Sequence, residues 1–138
     1  MGTITEVSTW EGFADRADEM ARSRGGRASL RTSDRLVLIH PSGEPIWAYR
    51  HTDPEQVEVA AGRLVDVSRI SHQRGLDVVA GIMDGRATEV ALIDGEDRWV
   101  GAEWSVDYRG GSVRGGGTWD EDQPEVMRSF VRQLAAWS

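Results

Sequence analysis

Three segments of the chain carry apolar residues at intervals of three and four positions, the spacing of one face of a helix. The first follows Ser8, and Glu11 three positions later completes the capping pattern of a helix start. Its apolar positions are Trp10, Phe13, Ala14, Ala17, Met20 and Ala21. Gly25 and Gly26 then supply residues suited to the left-handed conformation that ends many helices. The spacing predicts a helix over residues 9–24.

Two later segments also have the pattern of helices. Asp53 before Pro54 is a strong helix start, and the apolar positions that follow are Val57, Ala60, Ala61, Leu64 and Val67. Gly75 predicts the end of this second helix. A third helix is predicted from Asp122 to the end of the chain, with Val126, Met127, Phe130, Val131, Leu134 and Trp137 on one side.

Between these helices the apolar residues recur at every second position, which is the period of strands. The predicted strands cover residues 28–31, 36–40, 46–51, 78–83, 88–93, 98–108 and, more weakly, 113–119. Turn residues at 41–45 join two of them as a hairpin, and the pairs Asp84-Gly85 and Asp94-Gly95 suit the tight turns of a meander. Because the strand over 98–108 alternates apolar and polar residues, we expect it to bury one face and expose the other.

The predicted order is helix, two or three strands, helix, three or four strands, helix. No linker or internal repeat interrupts the chain, so we predict one domain over residues 1–138. The expected fold class is α+β, with a single antiparallel sheet of five to seven strands and three helices packed on it.

Composition excludes several kinds of chemistry. The chain has 138 residues and no cysteine, so it holds no disulfide, thiolate nucleophile or sulfur-ligated metal. It has no lysine or asparagine, and all 16 basic residues are arginine, as expected of a GC-rich genome. No run approaches the roughly 18 apolar residues of a membrane span, and the first residues lack the pattern of an export signal. We therefore expect a soluble, cytoplasmic protein with no membrane partner.

Charge is unevenly distributed along the sequence. The net charge is −7, which argues against nucleic acid as a partner because duplex binding depends on cations that neutralise phosphates. Residues 21–35 nevertheless contain five arginines and a single aspartate, Asp34. We expect one positive patch, including Arg22, Arg24 and Arg27, on an acidic body.

The groups that most often perform catalysis are scattered. His40, His51 and His72 do not have the spacing of a zinc site, and we expect them to serve caps or the surface. Most carboxylates fall at helix starts and turns, which leaves Glu103 and Asp107 as a pair on the solvent face of a strand. The sequence therefore predicts no catalytic residue, no metal site and no cofactor.

Residues 109–117 combine Arg109 and Arg114 with five glycines. Ordering the backbone of such a segment costs about 1–2 kcal/mol per residue, and only Val113 offers apolar surface in return. We expect a mobile loop that covers a substrate or becomes ordered when a partner binds. Its two arginines would bind a carboxylate or phosphate of that partner.

Six tryptophans are more than a chain of this length usually contains. Three fall on faces that are predicted to be buried, namely Trp10, Trp104 and Trp137. The pattern does not decide whether the other three are buried or exposed, and these are Trp47, Trp99 and Trp119. Tryptophan and arginine are enriched in binding hot spots, so this composition favours recognition over catalysis.

The sequence favours a small, acidic, non-enzymatic protein-binding module, either an adaptor or an inhibitor of the immunity or phage-encoded type that occludes another protein. The alternative is a small-molecule-binding protein or small enzyme whose tryptophan-lined pocket is covered by the loop over 109–117. The candidate binding residues are Arg22, Arg24, Arg27, Trp99, Trp104, Arg109, Arg114 and Trp119. A homodimer formed through a sheet edge or the first helix is also compatible with the sequence.

Overall fold

The computed structural model describes residues 6–119 and 125–137, which form two helices and nine strands. The helices are α1 (Trp10–Ser23) and α2 (His72–Met83). The strands are β1 (Arg27–Arg31), β2 (Arg35–Ile39), β3 (Ile46–His51), β4 (Gln56–Ala61), β5 (Val65–Ile70), β6 (Ala87–Asp94), β7 (Trp99–Tyr108), β8 (Gly111–Thr118) and β9 (Val126–Gln133). The first sheet has the order β1-β2-β3-β4-β5, and the second has the order β8-β7-β6-β9. Both are antiparallel, so the prediction of a single sheet with three helices is wrong.

The first predicted helix is confirmed as α1. Its cap is Thr9 and not the predicted Ser8, and the Thr9 hydroxyl accepts a hydrogen bond from the Gly12 N–H at 3.1 Å. The apolar stripe is buried as expected, with Trp10, Phe13, Ala14, Ala17 and Ala21 in the core. Gly25 follows the end of the helix with a φ of 83°, which glycine adopts without strain. Local capping and periodicity therefore determine this element.

The segment predicted as the second helix is mostly strand, and this prediction is wrong. Asp53 and Pro54 lie in the turn between β3 and β4, and Gly62 turns the chain from β4 into β5 with a φ of 61°. The buried residues of these strands alternate with exposed or half-buried ones, and they are Val57, Val59, Ala61, Val65, Val67 and Ile70. Several of the same positions also fit a helical period, but β-branched valines pack better on a pleated surface.

The strand predicted over 78–83 is instead the second half of α2. The Ser71 hydroxyl caps this helix by accepting from the Arg74 N–H at 3.2 Å. Gly75 lies inside α2, where a Cβ would stand 2.5 Å from Cγ2 of Val57. A Cβ at Gly81 would stand 2.4 Å from the carbonyl oxygen of Asp107. These glycines let the helix approach both sheets closely and do not end it.

The described part of the third predicted helix is also a strand, so this prediction is wrong as well. Its predicted start, Asp122, lies outside the described residues. Residues 126–133 form β9, which pairs with β6 in a register that places Phe130 opposite Ala91. The chain then returns to the core, where the Trp137 N–H donates to the Met83 carbonyl at 2.7 Å. Pairing with a strand that is distant in the sequence decides the conformation here.

The hairpin of β2 and β3 and the extra strand β1 are confirmed, and the predicted meander is confirmed from β6 to β8. Asp84 and Gly85, predicted as a tight turn of that meander, instead follow the end of α2, where Asp84 is the C-cap. The expectation of a mobile loop over 109–117 is wrong for the residues of β8, which pair with β7 from Gly111 to Thr118. The core contains buried residues of both helices and the first sheet, and the second sheet contributes Ala87 and Val106. Most of the second sheet therefore extends beyond the core.

Candidate functional site

A cleft of about 590 Å³ separates the turn between β4 and β5 from strands β7 and β8. Three tryptophans from different parts of the chain line it, namely Trp47, Trp104 and Trp119. The backbone of Gly116 and Gly117 in β8 forms part of the opposite wall. A Cβ at the neighbouring Gly115 would lie 2.4 Å from the Trp104 ring, so β8 is glycine-rich where this ring lies against it.

A second depression of about 390 Å³ lies beside the first. Ala91 and Ile93 of β6 contribute to it, with Trp99 of β7 and Phe130 of β9. Arg63 and Leu64 line both depressions, and the rings of Trp99 and Trp119 join them with centroids 4.8 Å apart. We call the two depressions together the aromatic groove.

The aromatic side chains at this groove are unusually exposed for their size. Trp99 is 51% exposed, Trp119 is 60% exposed and Phe130 is 58% exposed. Trp99 is nevertheless anchored, because its Nε1–H donates to the Gly101 carbonyl at 2.7 Å. The Trp119 backbone N–H donates to the Val100 carbonyl at 2.9 Å. Both rings are thus presented to solvent from an ordered backbone.

The turn between the two depressions is held by a buried carboxylate, Glu89 of β6. Its Oε2 accepts from the backbone N–H of Arg63 at 2.8 Å and of Val65 at 3.2 Å, and also from that of Leu64. Arg132 of β9 places its Nε 3.6 Å from the other oxygen of this carboxylate. Successive N–H groups of a turn form an anion-binding concavity, and here the protein's own side chain fills it. Glu89 therefore fixes the first sheet to the second and shapes the groove.

Sequence reasoning missed Glu89, although a signal was present. Ala87, Ala91 and Ile93 share its position in the alternation of β6, so a glutamate occupies a place in an otherwise apolar series. A charge at such a position needs hydrogen-bond partners once it is buried. The partners come from another sheet, and the sequence does not indicate which turn provides them.

Two carboxyl groups lie close together at the other end of the cleft. Asp66, which lines the cleft, is hydrogen-bonded to Glu58, and Glu58 also contacts Nε2 of His51 at 2.9 Å. Partial burial and then the neighbouring Glu58 carboxylate raise the pKa of Asp66 to about 6. The hydrogen bond from Asp66 lowers the pKa of Glu58 below its usual range. This pair can therefore hold one proton in mildly acidic solution.

The three histidines have separate structural partners, and none is among the residues that line the groove. His40 Nε2 lies 2.8 Å from the Arg24 carbonyl, and its ring stacks on Trp137. His72, predicted to serve a cap or the surface, is instead buried at the start of α2 and contacts Glu55 at 3.0 Å. Burial alone raises the pKa of Glu55, but hydrogen bonds from Arg50 and His72 outweigh it and leave that pKa lowered.

Of the predicted binding residues, the structure brings Trp99, Trp104 and Trp119 together at the groove. The predicted arginines lie elsewhere. Arg109 is exposed in the turn before β8, and the alternation of β8 puts Arg114 on the face opposite Trp104. A third depression, of about 450 Å³, is lined by Arg114 together with Glu103 and Trp104.

The positive patch around α1 is partly neutralised by contacts within the chain. Arg22 forms an ion pair with Asp18 at 3.2 Å, and Arg24 forms one with Asp84 at 3.2 Å. Arg27 is exposed at the start of β1. Asp18 lies on the same helix as Arg22, whereas Asp84 comes from a distant segment that the sequence does not place beside Arg24.

Within residues 6–119 and 125–137, no cluster of three or more histidine and carboxylate side chains could hold a metal ion. No helix in this described part is long and apolar enough to cross a membrane. No protein-family model matches the chain, and no curated protein and no solved structure is significantly similar to it. The aromatic groove is the candidate functional site of this protein.

Proposed function

We propose that this protein is a binding module whose aromatic groove receives a surface segment of another protein. The observation that carries this proposal is the convergence of Trp99, Trp119 and Phe130, each more than half exposed, on one face of the second sheet. Contiguous exposed apolar surface of this kind marks interaction sites in soluble proteins. Large aromatic side chains also dominate the energy of protein interfaces.

The shape of the groove favours a macromolecular partner over a small ligand. Pockets for small molecules typically bury about 70–90% of the ligand surface. Here the rings project into solvent, so a partner that has its own concavities can bury both sides of them. A protein surface offers such concavities, and a metabolite does not.

The support from Glu89 makes the groove suitable for tight binding. Because its carboxylate fixes the turn at Arg63 and Leu64, that part of the site does not have to become ordered on association. Ordering side chains and loops at an interface otherwise costs about 0.5–1.5 kcal/mol for each immobilised side chain. The net charge of −7 further favours a partner with a positive surface, whose approach it would accelerate. Such binding would let the protein act as an adaptor or occlude a partner as an inhibitor.

The experiment uses three matched forms of the protein to capture a partner from an extract of the native host. The forms are the wild type, Trp99→Ala/Trp119→Ala and Arg109→Ala/Arg114→Ala. We expect one protein to be retained by the wild type and the arginine variant and lost by the tryptophan variant. With that protein purified, the tryptophan variant should bind at least about 30-fold more weakly, as for loss of a hot spot. Loss of binding by the arginine variant alone would move the site to the other face of β8.

A second candidate function rests on the part of the groove lined by Trp47, Trp104 and Trp119. Its volume of about 590 Å³ falls within the range of about 300–1,000 Å³ of ligand pockets, and Asp66 adds a titratable group to its wall. The sequence favoured a loop over 109–117 as the cover of such a pocket, whereas strand β8 forms one of its walls. A thermal-shift screen of metabolites separates the two functions, because a ligand at 100 times its Kd should add about 2.7 kcal/mol of stability.

A further inference from the structure

The outer edge of β9 has the properties of a pairing surface. Among the described residues β9 pairs with β6 alone, which leaves its other edge open. The apolar side chains along it are exposed, and they are Val126 at 42%, Met127 at 59%, Phe130 at 58% and Val131 at 68%. An open, apolar strand edge is a template for another strand.

The other described sheet edges carry features that oppose pairing. β1 has exposed Arg27 and Arg31 and a register shift between Ala28 and Leu30. β5 contains Arg69 with a φ of 48°, and β4 shifts register against it. β8 contains three consecutive glycines at 115–117, and glycine-rich strands define register poorly. In β9 the register shift lies at its start, before Arg128.

The hydrogen-bond alternation shows which groups of β9 face outward. The Leu134 N–H donates to the Ala87 carbonyl at 2.9 Å, so Leu134 belongs to a hydrogen-bonded pair with β6. Such pairs alternate with non-hydrogen-bonded pairs along an antiparallel ladder. Counting back from Leu134 in the observed register turns the N–H and C=O groups of Ser129 and Val131 away from β6. These groups are available to a second strand.

We propose that β9 pairs antiparallel with β9 of a second copy of this chain, about a two-fold axis at Ser129. This register places Phe130 opposite Arg128 of the second copy, and it brings Val131 to the start of the second copy's β9, where the register shift lies. Arg128 already lies 5.5 Å from the Phe130 ring centre within one chain, so the pairing adds a second cation–π contact of the same kind. The two second sheets would then form one eight-stranded sheet.

Charge selects both the occupant and the register. Arg128 pairs with Asp97, and Arg132 pairs with Glu44, so each arginine of the edge is compensated within its own chain. Two copies can therefore meet here without uncompensated like charges, although each has a net charge of −7. A two-fold axis at Phe130 would instead place the guanidinium groups of Arg128 and of Arg132 of the second copy directly opposite each other, and it would lose the contact between Phe130 and Arg128 of the second copy.

The geometry has a consequence for binding. A two-fold axis perpendicular to the sheet keeps both aromatic grooves on the same face of the joined sheet. A partner with two docking segments would then bind by avidity. The dimer itself forms without that partner, so its test is independent of the proposed function.

Sedimentation of the purified full chain over about 2–200 µM covers the range in which a dimer of micromolar Kd forms and dissociates. We expect a wild-type dimer and at least about a tenfold higher Kd for Val131→Lys and for Ser129→Pro, which remove apolar contact and an outward N–H respectively. Leu30→Lys, on the exposed edge of the first sheet, is the matched control and should leave the Kd unchanged. A wild-type chain that stays monomeric, or a dimer that both folded β9 variants leave intact, overturns the proposal.

Cross-linking tests the register directly because the natural chain has no cysteine. Ser129→Cys should form a covalent dimer on mild oxidation, since facing Cα atoms are about 5.5 Å apart, within the range of a disulfide. Val131→Cys should not, because the two cysteines would be four positions out of register, about 13 Å apart. Equal cross-linking of the two variants, or cross-linking of Val131→Cys alone, would exclude the axis at Ser129.

Discussion

The first sheet turns one face toward the core beneath the helices, where Leu36, Ile46 and Val59 are at most 1% exposed, whereas the second sheet presents Trp119, Phe130 and Val131 at 58–68% exposure. Burial of large apolar side chains provides most of the free energy of folding. The first sheet therefore contributes chiefly to stability, and the second offers apolar surface that folding leaves unused. The buried core thus depends mainly on the helices and the first sheet, whereas the large exposed apolar side chains lie mainly on the second.

The largest expected difference is between two phenylalanines, Phe13 of α1, which lies in the core with the first sheet, and Phe130 of the second sheet. Phe13→Ala removes a fully buried ring beside α2 and should lower the free energy of unfolding by about 3–5 kcal/mol. Phe130→Ala removes a ring that is more than half exposed and should change it by at most about 0.5 kcal/mol. Urea unfolding of both variants measures the contrast. Similar losses would show that the second sheet contributes to the core as much as the first.

The link between the sheets should give the next effect. Glu89→Ala leaves three backbone N–H groups without their acceptor, and we expect a loss of about 2–4 kcal/mol. Glu103→Ala on the same sheet is the matched control, because Glu103 is exposed and should cost less than about 0.5 kcal/mol. Hydrogen exchange of the N–H groups at 63–65 should increase in the first variant alone. Unchanged exchange there would contradict the assigned role of Glu89.

Close packing of α2 should produce a smaller effect. Gly75→Ala places a methyl group 2.5 Å from Val57, and overpacking of this kind costs about 1–3 kcal/mol. Gly95 lies in the turn between β6 and β7, where the nearest atom to an added methyl group is 3.5 Å away. Gly95→Ala should therefore change the free energy of unfolding very little. Thermal unfolding separates the two variants. A stabilised Gly75→Ala would mean that helix propensity outweighs the contact with the first sheet.

The smallest effect concerns pH and the carboxyl pair on the outer face of the first sheet. The pKa of Asp66 rises from an ordinary value of 3.8 to about 6, so the folded state binds more protons than the unfolded state between these values. Its contribution therefore favours folding at low pH and is lost as the pH rises from about 4 to 6. Asp66→Asn should stabilise the protein at pH 7.5, by less than about 1 kcal/mol because the group is largely solvated.

The control for this prediction is the same comparison at low pH. At pH 4, where Asp66 is mostly protonated in the folded protein, wild type and Asp66→Asn should have nearly equal stability. The lowered pKa of Glu58 acts in the opposite direction, because its contribution is lost as the pH falls through that pKa. The difference in stability between the two proteins, measured by urea unfolding at each pH, reports on Asp66 together with its hydrogen bond to Glu58. A difference in stability that grows toward pH 4 would contradict the raised pKa of Asp66.

Elements that depend on local chemistry were predictable from the sequence. Helix α1 has its own cap, stripe and terminal glycines, and the hairpin of β2 and β3 has strand-forming residues joined by turn residues. The turn at Asp94 was predictable for the same reason, since its carboxylate accepts from the N–H groups of Glu96 and Arg98 at 2.9 and 3.0 Å. Each of these elements is specified by residues from one continuous stretch of the chain.

The sequence by itself determined the charge, the absence of cysteine, the surplus of tryptophan and those local elements. Only the tertiary structure decided that residues 56–70 form two strands, that Gly75 and Gly81 lie inside a helix and that residues 126–133 pair with β6. Their apolar spacing fits more than one period, and contacts with distant segments select among them. The aromatic groove was also decided by the tertiary structure alone, because its large aromatic residues come from four strands or their ends. These residues are Trp47, Trp99, Trp119 and Phe130. Their proximity is a property of sheet order and register, which no local pattern encodes.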